Sequence, residues 1–299
     1  MRFLVTGATG FLGQHLVRYL RERRHETILL VREVFGMGQP LPTALQAMRQ
    51  ELDLVYADLR NLTLTRRALA EAQPDIVIHL AAAGVTEPFI SIDTALRHNV
   101  TGTSNLVLAT FEQFPSTKRL VVARTPGESW PSNAYQASKA AAWSFCQMYA
   151  RQMAWSINGA TIFQAYGPGQ PSNTLVPAAF EAALEGHDFP MTSGEQQRDW
   201  IYVDDVVSGL STLAQTEVES GISIDLGTGK GTSLLEVVQQ IYSLVGRGGQ
   251  PLPGALGNRP GEEPWQVANA TATGSLVEWK STISLIDGLR RMLVTLQAE

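Results

Sequence analysis

Short apolar runs alternate with amphipathic stretches along the first half of the chain. Residues 3–5 form an apolar run that ends in glycines, and residues 14–24 place Leu16, Val17 and Leu20 at helical spacing. Further apolar runs follow at residues 27–31, 55–56, 76–80, 120–123 and 160–163. Strands that alternate with helices predict βαβ units and a parallel sheet with helices on both faces. We therefore expect an α/β fold with a doubly wound parallel sheet.

The second half of the chain contains more prolines and glycines and fewer regular apolar runs. Four prolines interrupt residues 166–198, and residues 251–264 are rich in proline and glycine, which is typical of loops and short helices. Residues 201–213 and 222–226 instead predict a helix and a strand that return to the first domain. We expect one domain of residues 1–165 plus about 201–227, and a smaller discontinuous C-terminal region of about 166–200 plus 228–299.

Composition excludes several classes of partner and site. The 299 residues, 44% of them hydrophobic, allow one large core or two modest ones, and the net charge of -5 offers no basic field for nucleic acid. Cys146 is the single cysteine and the five histidines show no metal-ligand spacing, so we expect neither a disulfide nor a metal. The apolar start is too short for a signal segment or a membrane span. We expect a cytoplasmic protein with no membrane partner.

A glycine-rich segment lies between the first predicted strand and helix. Its three glycines stand three residues apart, which departs from the G-x-G-x-x-G fingerprint. In a βαβ unit such glycines permit a tight turn and a close approach to a pyrophosphate, which the helix N-terminus attracts. Turns alone could explain the glycines, but the strand before and the helix after favour a dinucleotide site. The expected cofactor contacts are Gly7, Thr9, Gly10, Phe11, Leu12 and Gly13.

The residue after the second predicted strand bears on which dinucleotide binds. An acidic residue there would bond the ribose 2′-hydroxyl of NAD, whereas an arginine suits the 2′-phosphate of NADP. This chain has Arg32, which predicts NADP; NAD is the alternative if Arg32 is only a solvated residue beside Glu33. Asp58 and Leu59, after the next strand, are expected near the adenine.

Tyr135 and Lys139 stand four residues apart in a predicted helix, so one helix face carries both. An ammonium beside a phenol lowers the phenol pKa and eases proton transfer to or from a substrate oxygen. Alone, this spacing more often marks an exposed helix face, but here it follows a dinucleotide loop and a βαβ series. We expect Tyr135 to transfer the proton, and Lys139 to lower its pKa and hold the nicotinamide ribose.

Together these motifs resemble the extended short-chain dehydrogenase/reductase family, in particular its nucleotide-sugar epimerases, dehydratases and 4-ketoreductases. The likeness covers nearly the whole chain. Besides the glycine loop and the Tyr135–Lys139 pair, it rests on His79-Leu80-Ala81-Ala82, Asn99-Val100-Thr101-Gly102-Thr103, Tyr166-Gly167-Pro168-Gly169, residues 198–205 and Arg259-Pro260-Gly261-Glu262. It implies that the first domain is an NAD(P)-binding Rossmann domain and that the smaller region binds a nucleotide sugar.

The resemblance also implies residues at the reaction centre. Thr125 would hydrogen-bond the reacting oxygen, and the cofactor would be flanked by Leu80, Ala81 and Ala82. An Asp-Glu pair after Thr125 would mark a 4,6-dehydratase, because elimination needs its own acid and base. Pro126 and Gly127 stand there instead, which disfavours dehydration. Glu128, just behind them, is a candidate substrate ligand.

In the smaller region, the resemblance implies that Gln164, Arg198 and Arg259 bind the substrate. The two arginines would hold its diphosphate, since a planar guanidinium suits phosphate oxygens. Each has a plainer alternative, an ion pair of Arg198 with Asp199 or of Arg259 with Glu262.

Two long helices are predicted over residues 94–114 and 133–153, both with apolar faces. In the family such a pair forms a four-helix dimer interface, which implies a homodimer. The alternative is that both faces pack only on their own sheet.

The expected chemistry is hydride transfer between nicotinamide C4 and a carbon of a nucleotide-linked sugar, with reduction of a 4-keto group by NADPH as the leading hypothesis. A 4-epimerase that retains NAD is the alternative and uses the same residues. A third hypothesis, a non-catalytic nicotinamide sensor, would not need Thr125, Tyr135 and Lys139 together.

Overall fold

The computed structural model describes residues 1–87, 89–112, 117–259 and 261–298. Its strands are β1 (Arg2–Thr6), β2 (Glu26–Val31), β3 (Asp53–Tyr56), β4 (Ile76–His79), β5 (Arg119–Arg124), β6 (Ile157–Ile162), β7 (Gln164–Tyr166), β8 (Phe189–Met191), β9 (Gln197–Tyr202), β10 (Ser223–Leu226), β11 (Gly231–Ser233), β12 (Pro251–Pro253) and β13 (Trp265–Gln266). Its helices are α1 (Phe11–Glu22), α2 (Thr43–Gln46), α3 (Leu62–Ala72), α4 (Ile92–Ala95), α5 (Gly102–Phe111), α6 (Ala134–Met153), α7 (Leu175–Glu185), α8 (Val203–Gln215), α9 (Leu234–Val245), α10 (Ala270–Leu276) and α11 (Leu285–Ala298), with short 3-10 turns at Glu33–Phe35, Arg49–Glu51 and Pro126–Glu128.

Within the described residues, the larger sheet has seven strands in the order β10-β6-β5-β4-β1-β2-β3. Every neighbouring pair from β6 to β3 is parallel. Because β1 lies between β2 and β4, the chain winds outward in both directions from β1. The point where the winding direction changes lies at the carboxyl end of β1, next to Gly7, which is where such sheets bind ligands. The predicted α/β fold with a doubly wound parallel sheet is confirmed.

Contacts divide the chain into two compact units. The first comprises Met1–Thr161, Val207–Ile224 and Leu276–Trp279, and the second comprises Ile162–Val206, Asp225–Ser275 and Lys280–Glu299. The core of the first unit packs strand residues against flanking helices, and its buried members include Leu4, Ile28, Val77, Leu120, Ile157, Leu69, Leu106, Trp143 and Cys146. That the smaller region binds the substrate stays a prediction.

Strand β9 organises the second unit. It pairs in parallel with β7 and β13 and antiparallel with β11, while β12 and β8 form a separate parallel pair. Asp199 on β9 is fully buried, and its carboxylate accepts hydrogen bonds from the backbone N–H groups of Thr228 and Gly229 at 2.8 Å and of Ala268 at 3.2 Å. This carboxylate therefore ties two loops to the sheet.

The helix predicted over residues 94–114 is present as three consecutive segments. Helix α4 runs directly into a π-helical segment, Leu96–Thr101, and this continues as α5. The last residues of the prediction, 113 and 114, lie outside the described residues. The second predicted helix, over 133–153, is α6, and Asn133 caps it by accepting a hydrogen bond at Oδ1 from the Gln136 N–H at 2.9 Å.

Candidate active site

The glycine loop joins β1 to α1, and its glycines meet different demands. Gly7 has φ of +70°, and a Cβ there would lie 2.6 Å from the backbone N of Ala81. A Cβ on Gly13 would lie 2.2 Å from the carbonyl oxygen of Gly7. A Cβ on the exposed Gly10 would approach only that same carbonyl, at 3.3 Å. Gly7 and Gly13 are thus required by close packing, whereas a side chain at Gly10 would crowd only the Gly7 carbonyl.

The start of α1 suits the phosphates of a dinucleotide. Gly10 is its N-cap and brings no side chain, so the first-turn N–H groups of Phe11 and Leu12 receive no side-chain cap. The carbonyl of Thr9 accepts a hydrogen bond from the Gln14 side chain at 3.1 Å, which anchors the loop to the helix. An anion at such a helix start is stabilised by the free N–H groups and by the helix dipole.

The segment after β4 lines the same loop. Leu80 donates its N–H to the carbonyl of Thr6 at 3.1 Å, and Ala81 donates its N–H to the Thr6 hydroxyl at 3.3 Å. Ala82 follows directly, partly buried. The structure therefore places Leu80 and Ala81 against the end of β1 and the glycine loop.

The ends of β2 and β3 meet at the same edge of the sheet. The Ala57 N–H donates to the carbonyl of Val31 at 3.0 Å, so the next residues, Arg32 and Asp58, follow adjacent strand ends. Arg32 is exposed. The backbone carbonyl of Leu59 accepts a hydrogen bond from the Asn105 side chain at 2.8 Å.

Sequence reasoning missed a second arginine at this edge. Nε of Arg60 lies 2.9 Å from both carboxylate oxygens of Asp58, and hydrogen bonding from Arg60 lowers the pKa of Asp58. Burial, Arg60 and, more weakly, Arg32 lower the pKa of His98, whereas Asp58 raises it. Arg32 and Arg60 are therefore both within electrostatic reach of His98. The sequence signal for Arg60 was its place two residues after Asp58, because the two opposite charges form an ion pair here.

Helix α6 carries Tyr135 and Lys139 as predicted, but the pKa of Tyr135 is raised and not lowered. The Lys139 ammonium is buried and donates to the carbonyl of Ala123 on β5 at 2.6 Å. Burial raises the pKa of the Tyr135 phenol, and the negative charge of Glu128 raises it further. The expected depression of the phenol pKa is wrong for this structure, because desolvation and a nearby carboxylate both disfavour the phenolate.

Lys139 and His79 are both buried and lie within electrostatic reach of each other. Burial lowers the pKa of Lys139, and burial followed by the charge of Lys139 lowers the pKa of His79 to about 3. His79 is 1% exposed, with Nδ1 2.7 Å from the Thr6 hydroxyl and Nε2 3.0 Å from the Thr103 hydroxyl. This neutral histidine therefore links the end of β1 to the first turn of α5.

Thr125 and Glu128 occupy the turn that follows β5. Thr125 is half-buried, and its backbone N–H donates to Oε1 of Glu128 at 2.9 Å. Oε2 of Glu128 accepts from Nε of Arg124 at 2.8 Å, and the Glu128 side chain is only 2% exposed. Both carboxylate oxygens are thus engaged within the chain, and this geometry disfavours Glu128 as a substrate ligand.

Asn99 is a further residue that sequence reasoning left without a role. From the π-helical segment, its side chain accepts from the Ala83 N–H at 2.8 Å and donates to the Ala83 carbonyl and the Ser138 hydroxyl, both at 2.9 Å. Ser138 in turn donates to the carbonyl of Tyr135 at 2.8 Å. Asn99 therefore clips the segment after β4 to the helix that carries Tyr135. The sequence signal for this role of Asn99 was the motif that begins with it, residues 99–103.

The predicted substrate residues of the second unit differ in their surroundings. Gln164 on β7 and Arg259 are exposed. Arg198 is 7% exposed and pairs with Glu262 at 2.8 Å, while its Nη1 donates to the carbonyl of Gln197 at 2.9 Å. The ion-pair alternative named Asp199 for Arg198 and Glu262 for Arg259; the structure instead joins Arg198 to Glu262.

Two features are absent from the part of the chain that the structure describes. The described His, Cys, Asp and Glu side chains form no group of three that would suit a metal ion. None of the described helices has the length and apolar content needed to cross a membrane.

Comparison with known proteins gives relatives along the whole chain. "dTDP-glucose 4,6-dehydratase 1" of Escherichia coli K12 is 24% identical over 97% of this chain and 91% of its own. Among solved structures, MoeE5 in complex with UDP-glucuronic acid and NAD is 26% identical with a TM-score of 0.86, covering 100% of both chains. The UDP-glucose 4-epimerase of Thermus thermophilus in complex with NAD is 25% identical with a TM-score of 0.82, covering 99% of both.

The family model described as "NAD dependent epimerase/dehydratase family" matches residues 3–227, from the first strand of the large sheet to the residue after its last strand. This match contains the glycine loop, the Tyr135–Lys139 pair and the Asn99 clip, and it confirms the resemblance to the extended short-chain dehydrogenases. The chain belongs to the NAD dependent epimerase/dehydratase family.

Proposed function

We propose that this chain reduces the 4-keto group of a nucleotide-linked sugar, with NADPH as the reductant. The nucleotide sugar is supported by the relatives, whose names include dTDP-glucose and UDP-glucose enzymes and a complex with UDP-glucuronic acid. The choice of a reductase with NADPH rests on Arg32, the exposed cation after β2. Arg60 lies near it, since both arginines are within electrostatic reach of His98. An arginine at this position suits a 2′-phosphate.

The residues present fit a dinucleotide. The uncapped start of α1 beside the exposed Gly10 would take the pyrophosphate, with Leu80 and Ala81 against the loop. Arg32 would take the 2′-phosphate, and Asp58 and Leu59 would lie near the adenine. A bound reduced nicotinamide supplies the hydride that the keto carbon receives.

The chain's own residues complete the reduction. As the keto carbon gains the hydride, the carbon–oxygen π pair moves to the oxygen, and Tyr135 donates its phenolic proton there. The products are an alcohol and a tyrosinate, which is reprotonated from solvent. Thr125 would position the reacting oxygen, and Lys139, held at Ala123, would anchor the nicotinamide ribose and stabilise the tyrosinate.

Substrate binding falls to residues of the second unit. Gln164 and Arg259 are exposed and free to present an amide and a guanidinium. Arg198 would reach a diphosphate only by sharing or releasing Glu262. We therefore assign the diphosphate first to Arg259.

Dehydration is less well supported, although several relatives are dehydratases by name. Elimination needs an acid and a base besides the tyrosine, and the nearest carboxylate after Thr125 is Glu128. Both of its oxygens are bonded to chain atoms, and its side chain is 2% exposed.

A 4-epimerase that retains NAD is the second candidate. It is favoured by the NAD complex of the T. thermophilus UDP-glucose 4-epimerase, 25% identical to this chain. An epimerase oxidises the sugar alcohol first, so Tyr135 would begin as a base rather than as an acid.

We further propose a homodimer through α4, the π-helical segment and α6. Ile92, Leu96 and Phe145 on these helices are 70%, 49% and 45% exposed. Exposed apolar side chains on adjacent helices are typical of a protein interface, and a second copy would cover them in the arrangement that the family resemblance implies.

The test combines two measurements. Native mass spectrometry of freshly purified protein shows whether a dinucleotide is retained, and NADPH oxidation is then followed with 4-keto nucleotide sugars. The proposal expects an empty site and NADPH-dependent turnover. Retained NAD with interconversion of 4-epimers establishes the epimerase instead. Absence of NADPH oxidation with any 4-keto nucleotide sugar, with cofactor affinity unchanged in Tyr135→Phe, favours the sensor hypothesis.

A further inference from the structure

Two arginines follow neighbouring strands of the large sheet. Arg32 comes directly after β2, and Arg60 lies in the turn between β3 and α3. The Ala57 N–H donates to the carbonyl of Val31 at 3.0 Å, so the two strands stay paired up to the residue before Arg32. Paired strands lie about 4.8 Å apart, so the backbone at Arg32 is about one strand spacing from the start of the turn that carries Arg60.

The turn that carries Arg60 is fixed from both sides. The carbonyl of Leu59 accepts a hydrogen bond from the Asn105 side chain on α5 at 2.8 Å. On the other side, Asn61 is the N-cap of α3, and its Oδ1 accepts the Leu64 N–H at 3.1 Å. The Arg60 side chain therefore starts from a backbone that the sheet and two helices hold in place.

Asp58 binds one edge of the Arg60 guanidinium and leaves the other edge open. Nε lies 2.9 Å from both carboxylate oxygens, and Nη2 also donates to Oδ2. On the other edge, Nη1 lies 3.4 Å from Nε2 of His98. Nη1 carries two N–H donors, and the single lone pair of a neutral imidazole nitrogen can accept only one. The Arg60 side chain is 45% exposed, so Nη1 can donate to an anion while the ion pair with Asp58 stays intact.

His98 links the two arginines. It lies in the π-helical segment, and burial lowers its pKa, which the charges of Arg60 and, more weakly, Arg32 lower further. Because Arg32 is exposed and begins one strand spacing away, both guanidinium groups can reach the same solvent-facing edge of the sheet. A pair of planar guanidinium groups suits the oxygens of a phosphate.

We propose that Arg60 is a second specificity-determining residue for the dinucleotide, whose 2′-phosphate binds between the Nη1 edge of Arg60 and the guanidinium of Arg32. This rests on the proposed function, in which NADPH is the reductant. Asp58 has a positioning role, because it orients the guanidinium through Nε and Nη2. NAD carries an uncharged 2′-hydroxyl at this place and gains little from a second cation, so the preference for NADPH depends on both arginines.

The test measures cofactor binding without any substrate. Fluorescence titration gives the dissociation constants of NADPH and NADH for wild type, Arg32→Gln, Arg60→Gln and the double variant. We expect Arg60→Gln to weaken NADPH binding about tenfold, the effect of one lost hydrogen bond between charged groups, and to keep NADH binding within about twofold of wild type. The double variant should bind NADPH no more tightly than NADH.

Arg97→Gln is the matched control. Arg97 is also exposed, and its Nε lies 2.9 Å from a carboxylate oxygen of Asp93, as the Nε of Arg60 does from Asp58. This variant removes the same charge beside His98 and should leave both dissociation constants unchanged. Arg60→Lys keeps the charge but loses the planar fork, so it should weaken NADPH binding less than Arg60→Gln does. Circular dichroism establishes that each variant is folded.

Three results overturn the proposal. The first is an NADPH dissociation constant in Arg60→Gln within about twofold of wild type. The second is an equal loss of NADPH and NADH binding in that variant, which would place Arg60 against the adenosine and not its phosphate. The third is an equal loss of NADPH binding in Arg97→Gln. If Arg60→Gln does not fold, the same comparison of NADPH with NADH in Arg60→Lys decides.

The same data separate this inference from the function beneath it. A preference for NADPH that is lost in Arg32→Gln but kept in Arg60→Gln removes the inference and leaves the proposed function standing. A wild type that binds NADH as tightly as NADPH refutes both. A preference that needs both arginines, in a protein that reduces no 4-keto nucleotide sugar, refutes the reductase and leaves the phosphate site standing.

Discussion

The ammonium nitrogen of Lys139 lies 2.6 Å from the carbonyl oxygen of Ala123. The strand therefore supplies a fixed acceptor for a charge that is otherwise buried. Such a contact offsets part of the cost of desolvating the ammonium. Lys139 is therefore held in one position on the helix that carries Tyr135.

Replacing Tyr135 by Phe should abolish proton transfer and spare cofactor binding. We expect kcat to fall by about 10²- to 10⁴-fold, the usual contribution of a positioned acid. Steady-state turnover and NADPH fluorescence titration measure the two effects. Tyr149→Phe is the control on the same helix, since Tyr149 stacks on Trp155 at 5.1 Å between ring centres and has no proposed part in the reaction. Turnover retained in Tyr135→Phe would remove the tyrosine from the mechanism.

Arg32→Asp should reverse the cofactor preference. A carboxylate there would repel a 2′-phosphate and accept a hydrogen bond from a 2′-hydroxyl. We expect the ratio of the NADPH to the NADH dissociation constant to rise at least about tenfold, about 1.4 kcal/mol. Arg18→Asp, at an exposed position on α1, is the charge-matched control. An unchanged ratio means that Arg32 does not contact the cofactor.

Gly7→Ala should mainly reduce stability, whereas Gly10→Ala should mainly reduce dinucleotide affinity. At Gly7 the added Cβ meets the Ala81 backbone at 2.6 Å with φ at +70°, so we expect a loss of stability of about 1–3 kcal/mol or more. At Gly10 the Cβ would approach only the Gly7 carbonyl, at 3.3 Å, so the variant should lose less stability than Gly7→Ala and bind the dinucleotide weakly. Urea unfolding and cofactor titration separate the two, with Gly274→Ala as control. Normal cofactor affinity in Gly10→Ala would place the pyrophosphate elsewhere.

Burial of neutral His79 should make stability depend on pH. Its pKa is about 3 in the folded chain against 6.5 for the unfolded group, so the unfolded chain binds the proton first as the pH falls. The stabilisation is complete above pH 6.5 and is lost toward the folded pKa, at about 1.4 kcal/mol per pH unit.

Urea unfolding between pH 7 and 4 should therefore show a steeper loss of stability for wild type than for His79→Asn. The exposed His187 provides the control, as His187→Asn should keep the wild-type slope. Equal slopes in wild type and His79→Asn would mean that the histidine is charged, or accessible to protons, in the folded chain.

The proposed dimer should dissociate when charges enter its apolar surface. Leu96→Asp with Phe145→Asp places two carboxylates on residues that are 49% and 45% exposed. We expect wild type to sediment as a dimer and the double variant as a folded monomer. Val294→Asp changes an exposed apolar residue of the second unit and should leave the mass unchanged. A monomeric wild type rules out the dimer.

The sequence predicted those parts of the fold that repeat a simple pattern. Buried parallel strands form apolar runs, and β2 buries five of its six residues, so these strands were found. The pairing of Arg198 with Glu262 was missed because 64 residues separate them, and a sequence places no limit on such partners. The predicted direction of the Tyr135 pKa shift was wrong for a similar reason. The spacing to Lys139 is local, whereas the burial and the carboxylate that act on the phenol come from folding.

The π-helical segment limits how many residues can be removed from its helix. A π turn accommodates one residue more than an α turn, so it behaves as an insertion that the helix has absorbed. Deleting a single residue from Leu96–Thr101 would restore a regular helix with its flanks in the same register, but residues within the segment would move by up to one position, about 100° around the helix axis. Asn99 would then turn away from Ala83 and Ser138. Residues can be exchanged along this helix, but shortening it by one would open the clip that holds the tyrosine helix to the segment after β4.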